Sequence, residues 1–450
     1  MNISVKPIKR IRGEIRVPGD KSISHRAAMI GSIAHGHSTI HNFSSAIDCA
    51  STIDCMRQLG VVIERDGSTV IIDGAGDRGL REAEGALDAG NSGTTIRLLS
   101  GILAWQSFST TLIGDESLCR RPMRRIAEPL NLMGARVETQ ANGCAPLIIN
   151  GRAITEPDFA LNNGKRRRLH PIEYRLPVAS AQIKSTILLA ALGAEGVTTV
   201  IEPTPTRDHT ERMLRGFGAN ITGNITMNGN KISLTGGATL YGREFIVPGD
   251  LSSAAFFVAA ATILPDSELV IKDVGLNPTR SSSLEAFKQL GANISIQDMR
   301  EECGEPVGTL RVKSSNRNEE RRVKLSGRII PNLIDELPLL GFTAGALGCE
   351  LEVQGAAELR VKESDRIAST VENLRRLGVK SEAREDGFIV HRGNGQLKGA
   401  LLDSFKDHRM AMGCAIAALA AEGACEIKDA DEAVKVSLPE FWALLESISE

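Results

Sequence analysis

Residues able to do chemistry fall in short clusters along this chain. In GDKSISHR, Lys21, Ser22 and Arg26 stand at the start of a predicted helix, where backbone N–H groups, the helix dipole and two cations favour an anion. The stretch is not a P-loop, because Asp20 separates Gly19 from Lys21 and G-x-x-x-x-G-K-[ST] is not matched. DAGNSGTTIRLL, Asp88 to Leu99, is a turn of small residues in which Asn91, Ser92, Gly93 and Thr94 let a ligand approach the backbone. GDESLCRRPMRRI adds Arg120, Arg121, Arg124 and Arg125, four cations within six residues. RLPVASAQIKSTILLAAL puts Ser180, Gln182, Lys184 and Ser185 at another helix start, and TPTRDHTERML offers Arg207, Asp208 and His209. In the last third, LIDELP carries Asp335 and Glu336, RVKESDRIA carries Lys362, Glu363, Asp365 and Arg366, and DHRMAM carries His408 and Arg409. Taken singly, each cluster reads as a capped helix, a solvated charged face or a surface ion pair of little consequence. Together, carboxylates interleaved with guanidiniums are what acid/base chemistry on a multiply anionic substrate needs.

Three other patterns lead nowhere. GAGDRG, Gly74 to Gly79, fits G-x-G-x-x-G, but more glycine follows instead of a long amphipathic helix, so it reads as a loop and not a dinucleotide site. His35, His37 and His41 lack a suitably spaced Cys or acidic partner, so no metal is expected. KRRR, Lys165 to Arg168, has no aromatic neighbour and reads as a solvated loop.

The elements that must position these clusters repeat. A helix end followed by Gly and an alternating strand recurs as MRQLGVVIE, LNLMGARVE, LRGFGANIT, FKQLGANIS and LRRLGVKSE, with glycines at 60, 134, 218, 291 and 378. The spacings of 74, 84, 73 and 87 match 450/6 = 75, so six α/β units are expected, the sixth ending on the helix of FWALLESISE without a following strand. VPGDKSISHRAAMIGSIA, from Val17, returns as VPGDLSSAAFFVAAATIL, from Val247, each read as a strand, a tight Pro-Gly turn and a capped helix. Two lobes of three units follow. One comprises residues 1–18 and 250–450, with Asp335, Glu363, Arg366 and Arg409; the other comprises residues 19–249, with Lys21, Gly93, Arg121, Gln182 and Arg207. The two crossings are candidate hinges, with ligand expected in the cleft between lobes.

Composition narrows the partners. With 53 Lys plus Arg against 55 Asp plus Glu the net charge is −2, and 12 Phe, 2 Tyr and 2 Trp provide few stacking platforms, so a nucleic-acid partner is not expected. The 15 uncharged residues Leu251 to Pro265 fall short of the roughly 20 that cross a bilayer, and the N-terminus has no apolar signal-peptide core. Eight scattered cysteines without a C-x-x-C pair read as free thiols of a reducing cytoplasm.

GDKSISHR, GNSGTTIRLL, RPM, SAQIKS, TRDHTE, LIDELP, RVKESDR and DHRMAM, in that order from Asp20 to Met412, resemble the 5-enolpyruvylshikimate-3-phosphate (EPSP) synthase family over essentially the whole chain. SAQIKS, TRDHTE and LIDELP look like its class II branch, whose members often tolerate glyphosate. The resemblance implies an α/β fold of two lobes, each of three βαβαββ units about a pseudo-threefold axis. It also implies the reaction: the 5-hydroxyl of shikimate 3-phosphate attacks C2 of phosphoenolpyruvate, and the tetrahedral intermediate loses phosphate. No cofactor is implied, and a cytoplasmic monomer acting on these two small molecules is expected.

By motif position, Lys21, Arg121, Arg366 and Arg409 would hold the carboxylate and phosphate of phosphoenolpyruvate, with Gln182 and Gly93 lining the pocket. Lys21, Ser22, Arg26, Ser180, Gln182, Arg207, Asp335 and Lys362 would bind shikimate 3-phosphate. Asp335 would take the 5-hydroxyl proton, Glu363 would give and later remove a proton at the methylene carbon, and Lys21 completes the catalytic set. One departure stands near the C-terminus: where the commoner branch carries Lys directly before [ST]-F-P, Val436 precedes Ser437-Leu438-Pro439, and Lys435 is left out of the site. The sister family, UDP-N-acetylglucosamine enolpyruvyl transferase, uses a loop cysteine where Glu116 stands and an Asn where Ser22 stands. A non-catalytic scaffold built from the repeats would not need carboxylates beside anion-binding arginines.

The resemblance also makes glyphosate a probe of Gly93. In the tolerant branch an alanine usually fills that place and its methyl narrows the pocket, so this chain is expected to be inhibited competitively by glyphosate. Gly93→Ala should weaken glyphosate by about 1–3 kcal/mol, roughly 5- to 150-fold. Phosphoenolpyruvate should lose less. Inhibition and Michaelis constants for both proteins check this, and equal losses for the two ligands would remove Gly93 from the pocket.

Overall fold

The computed structural model describes residues 1–76, 79–151, 169–226, 229–315 and 320–450. KRRR at 165–168 and the centre of GAGDRG at 77–78 lie outside the described residues. The chain divides into two compact units, one of Met1–Asp20 with Pro248–Glu450 and one of Lys21–Val247.

In the Lys21–Val247 unit, three four-stranded sheets share one pattern. Leu87–Asp88 pairs parallel with Ser109–Ile113, which pairs antiparallel with Leu147–Asn150, which holds Arg136–Glu138 at the edge. The order Glu173–Arg175, Val197–Glu202, Gly229–Thr235, Ile221–Thr226 repeats it, as does Glu244–Ile246, His37–His41, Thr69–Asp73, Val62–Asp66. Each parallel pair brackets a helix where the chain is continuous, which gives the βαβαββ unit that the family resemblance implies and the α/β repeat that the glycine spacing marks. The five repeat glycines close helices at Gln58, Leu132, Gly216, Gln289 and Arg376, and their φ values of +87°, +94°, +105°, +105° and +85° are ones a Cβ would strain.

The other unit carries two sheets of four strands and one of three. The three-stranded sheet belongs to the last repeat: Leu401–Asp403 pairs parallel with Cys425–Lys428, and the N-terminal strand Ile3–Val5 pairs antiparallel with the same strand where a hairpin would otherwise lie. Arg12–Arg16 then joins Glu268–Gly275 in parallel, so the first residues of the chain complete two sheets of the C-terminal half. Gly19 and Gly249 form an isolated antiparallel bridge, with Asp20 N donating to the Pro248 carbonyl (2.8 Å) and Asp250 N to the Pro18 carbonyl (2.9 Å). The VPGD repeats are therefore paired extended segments and not tight turns. Each carbonyl finds its donor across the two-chain ladder, which a local turn would have taken from its own residues.

Helices apolar all round mark the core. Every residue of Leu251–Ile263 and of Leu337–Leu347 is buried, and with His408–Leu419 they pack mutually at the centre of this unit. Phe441, from the terminal helix Phe441–Ile448, closes the core against Phe256 and Phe257 with ring centroids 6.1 and 5.9 Å away. In the Lys21–Val247 unit the central helices are Lys21–Ile33, Gly93–Leu103 and Ala181–Ala191. The last two approach so closely that a Cβ on Gly101 would lie 2.3 Å from the Thr186 carbonyl oxygen.

That approach gives a stability test. Gly101→Ala should force the two helices apart and cost about 1–3 kcal/mol. A lower urea midpoint is expected, and an unchanged one would mean the helices are not in contact at this point.

Candidate active site

The clusters singled out from sequence gather at the N-terminal ends of the central helices. In the Lys21–Val247 unit, Lys21 opens its helix and its Nζ lies 3.1 Å from Asp48 Oδ2, both side chains largely buried. Ser92 caps the second helix by accepting from Thr95 N at 3.0 Å, so Gly93 is the first helical residue. A Cβ built on Gly93 would stand 3.1 Å from an Arg97 terminal nitrogen and 3.3 Å from one of Arg121. Two guanidiniums thus converge over a bare helix start, where end dipole and cations reinforce one another. Arg121 is buried and donates to Asn91 Oδ1 at 2.7 Å and Ser117 Oγ at 3.2 Å. Arg97 donates to Gln182 Oε1 at 2.5 Å, and the Gln182 amide donates to Thr94 Oγ1 at 3.2 Å, which aligns Gln182 with the same pocket. Arg97 was not among the residues expected from sequence. The signal was its spacing, four residues after Gly93 and so on the same helix face.

Ser180 caps the third helix, its Oγ accepting from Ile183 N. Arg26 lies one turn into the first helix and is buried, donating to Thr210 Oγ1 (2.6 Å), Ser185 Oγ (2.9 Å) and the Ser22 carbonyl (2.8 Å). It ties Lys21–Ile33 to Ala181–Ala191 and to His209–Gly216. Lys184 is fully buried between Glu202 (3.1 Å) and Glu211 (2.6 Å) and donates to the Thr206 carbonyl at 3.3 Å. Burial alone would lower its ammonium, yet the two glutamates hold it above the ordinary lysine range. This buried cation fixes the loop that presents the half-buried Arg207.

In the other unit the clusters centre on Arg366, the first residue of the helix Arg366–Arg376 and 1% exposed. It donates through Nε to Asp407 Oδ2 at 2.8 Å, through one terminal nitrogen to Glu363 Oε2 at 2.6 Å and Asp407 Oδ1 at 3.2 Å, and lies 3.4 Å from Asp335 Oδ1. Burial opposes its charge, but Asp407, Glu363 and Asp335 raise it further into the protonated range. Asp407 caps His408–Leu419 and accepts from Arg409 N at 2.9 Å. Arg409 reaches across to the Asp335 carbonyl at 3.0 Å and to Glu336 Oε1 at 3.5 Å. Lys362 is half-buried; loss of water pulls its ammonium below the usual lysine range, and Arg366 adds to that against Asp335, Glu363 and Glu358.

Outside these clusters, His37 lies 3.6 Å from Asp73, and His41 Nε2 lies 3.0 Å from Glu244. Among the described residues no three His, Cys, Asp or Glu side chains gather as a metal site, and none of the eight cysteines forms a disulfide. Lys435 pairs with Asp431 at 2.6 Å, and the exposed Glu116 pairs with Arg120. None of the described helices is long and apolar enough to cross a membrane.

Acidic and basic groups at helix starts, on six repeated α/β subdomains, define an enolpyruvyl transferase fold. A solved enolpyruvyl transferase, NikO from Streptomyces tendae, shares that fold at a TM-score of 0.75 and 16% identity, over 99% of this chain and 96% of its own. The EPSP synthase (3-phosphoshikimate 1-carboxyvinyltransferase) family model matches residues 5–445, and the chain belongs to that family. The 3-phosphoshikimate 1-carboxyvinyltransferase of Solibacter usitatus is 48% identical over 450 residues, covering 100% of both chains. EPSP synthase from Acinetobacter baumannii superposes with a TM-score of 0.85 at 41% identity, over 100% of this chain and 98% of that one. The protein is accordingly a transferase of the shikimate pathway, moving the enolpyruvyl group of phosphoenolpyruvate to shikimate 3-phosphate.

The Arg366–Asp407 pair gives a pH-dependent stability test. Burial would raise the Asp407 carboxyl, but Arg366 overrides it and the folded value lies below the ordinary aspartate range. The stability this pair contributes is therefore present above the unfolded value near 4, and is lost as pH falls through the lower, folded value. Asp407→Asn keeps a good helix cap but removes the carboxylate that Arg366 bonds through two nitrogens, leaving it Glu363 and Asp335, and should cost about 1–3 kcal/mol. In urea unfolding the gap between wild type and variant should be constant above about pH 4 and narrow below it. A pH-independent gap would mean that Asp407 is not charged in the folded protein.

Proposed function

We propose that the clusters at the helix starts carry the transfer reaction. Lys21, Arg121, Arg366 and Arg409 neutralise the carboxylate and phosphate of phosphoenolpyruvate; Gln182 orients it, and Gly93 leaves the room it needs. Arg97, beside Arg121 over Gly93, joins this group. Shikimate 3-phosphate is held by Lys21, Ser22, Arg26, Ser180, Gln182, Arg207, Asp335 and Lys362. The observation that carries the reading is the grouping of Asp335 and Glu363 on one buried guanidinium, at 3.4 and 2.6 Å. Two carboxylates fixed side by side serve two proton transfers.

Asp335 takes the proton of the 5-hydroxyl as that oxygen bonds to C2, while Glu363 delivers a proton to C3. The positive character at C2 is stabilised by the carboxylates. Glu363 then removes a proton from the new methyl group, the C2–C3 double bond re-forms, and the C2–O bond to phosphate breaks, with Lys21 and the arginines offsetting charge on the leaving group. One C–O bond at C2 is exchanged for another and protons are moved, with no net change of oxidation state, so the chemistry calls for no redox cofactor. The chain acts as a cytoplasmic monomer, its scattered cysteines suiting a reducing compartment, and without a nucleic-acid partner, in keeping with its net charge of −2 and its few aromatics.

Phosphate release from phosphoenolpyruvate is measured with shikimate 3-phosphate, with UDP-N-acetylglucosamine, and with neither. Release is expected in the first arm alone; release in the second would favour the sister transferase. Glu363→Gln keeps size and polarity but cannot shuttle a proton, so turnover should fall by roughly 10²-fold or more while shikimate 3-phosphate still binds. Near-normal turnover would take Glu363 out of the mechanism.

A further inference from the structure

One large buried cation has no task in this scheme. Arg280 is 5% exposed, in a turn held by Asn277, whose Oδ1 accepts from Thr279 N at 2.9 Å and whose amide donates to Glu305 Oε2 at 2.7 Å. Its guanidinium donates to Asp20 Oδ2 (2.7 Å), Asp250 Oδ1 (3.1 Å) and Ser252 Oγ (2.5 Å). The first two contacts bridge the paired extended segments at Gly19 and Gly249 and would suffice to neutralise a structural arginine. The third does something else. Because Arg280 donates into the lone pairs of Ser252, the single hydroxyl hydrogen is directed to Glu336 Oε1. That same oxygen accepts from Arg409, which also donates to the Asp335 carbonyl.

We propose that Arg280 is a positioning residue for the reaction: acting through Ser252, it fixes Glu336 and with it the Asp335–Arg409 pair in the geometry that proton transfer needs. The inference rests on Asp335 being the base. Charged groups face Asp335 from every side: Arg366 and Glu363 near the start of one helix, Arg409 at another, Lys362 in the preceding loop, Glu336 beside it, and Arg280 itself through its longer-range field. Removing Arg280 leaves an excess of carboxylates, each then easier to protonate.

Arg280→Gln, Arg280→Lys, Ser252→Ala and Asp335→Asn are compared with wild type for folding by urea denaturation, for kcat and KM with shikimate 3-phosphate, and for the pH profile of kcat. Arg280→Gln is expected to lower kcat about tenfold or more with KM changed less than about threefold, and to move the acid limb to higher pH. Arg280→Lys should recover part of the rate. Ser252→Ala, which leaves Arg280 with both aspartates, should lower kcat by roughly 3- to 10-fold, and combining it with Arg280→Gln should add little, as for two members of one chain of contacts. A folded Arg280→Gln enzyme with wild-type kcat and pH profile overturns the proposal. If that variant does not fold, Ser252→Ala decides: wild-type kcat overturns the proposal, and the stated loss supports it. Full turnover in Asp335→Asn would overturn the assignment of the base, a failure distinct from that of Arg280.

Discussion

In each unit three central helices begin side by side, and the rest of the site follows from the electrostatics of that arrangement. Adjacent helix N-termini pool partial positive charge and unsatisfied N–H groups, which disfavours their convergence unless anions lie against them. The Met1–Asp20 and Pro248–Glu450 unit supplies its own: Asp250, Glu336 and Asp407 stand at the three starts. Their charge is balanced in turn by Arg280, Arg409 and Arg366. The Lys21–Val247 unit places only hydroxyls at two of its starts, Ser92 and Ser180, and sets Arg97 and Arg121 over Gly93. One unit thus sets carboxylates at its helix starts, and the other sets guanidiniums over one of its own.

This division matches the chemistry. Phosphoenolpyruvate and shikimate 3-phosphate bring phosphate and carboxylate groups, which suit open helix starts lined by arginine. Proton transfer at oxygen and carbon calls for carboxyl groups that are held in place while they give and take a proton, and buried guanidiniums bonded to them hold them there. The expense of burying so many charges is met only with each one paired. Stranding a partner is costly for that reason, so the same contacts that prepare the site also stabilise the fold.

Much of this was legible in the sequence. Five glycines after helix ends marked the subdomains, because only a residue without Cβ turns from helix to strand at φ near +90°. Small polar residues ahead of apolar runs marked the helix starts, and with them Lys21, Ser180, Asp335, Arg366 and Arg409. Long-range pairing was harder to see. Nothing local told that Lys184 is buried between Glu202 and Glu211, or that Arg280 reaches Asp20 across 260 positions. Nor did spacing reveal that Arg26 is turned inward to Thr210 and Ser185. The VPGD segments misled as turns because Pro-Gly is a local turn signal, whereas the partner that satisfies their backbone lies in the other copy of the repeat.

The central claim is that a fixed carboxylate protonates C3 and then deprotonates it, so that the methylene group passes through a methyl. Mass spectrometry of the product formed by the wild-type enzyme in D2O tests this most directly. The account predicts deuterium in the methylene group of the transferred enolpyruvyl unit after a single turnover. A product formed at full rate with no deuterium there would contradict it.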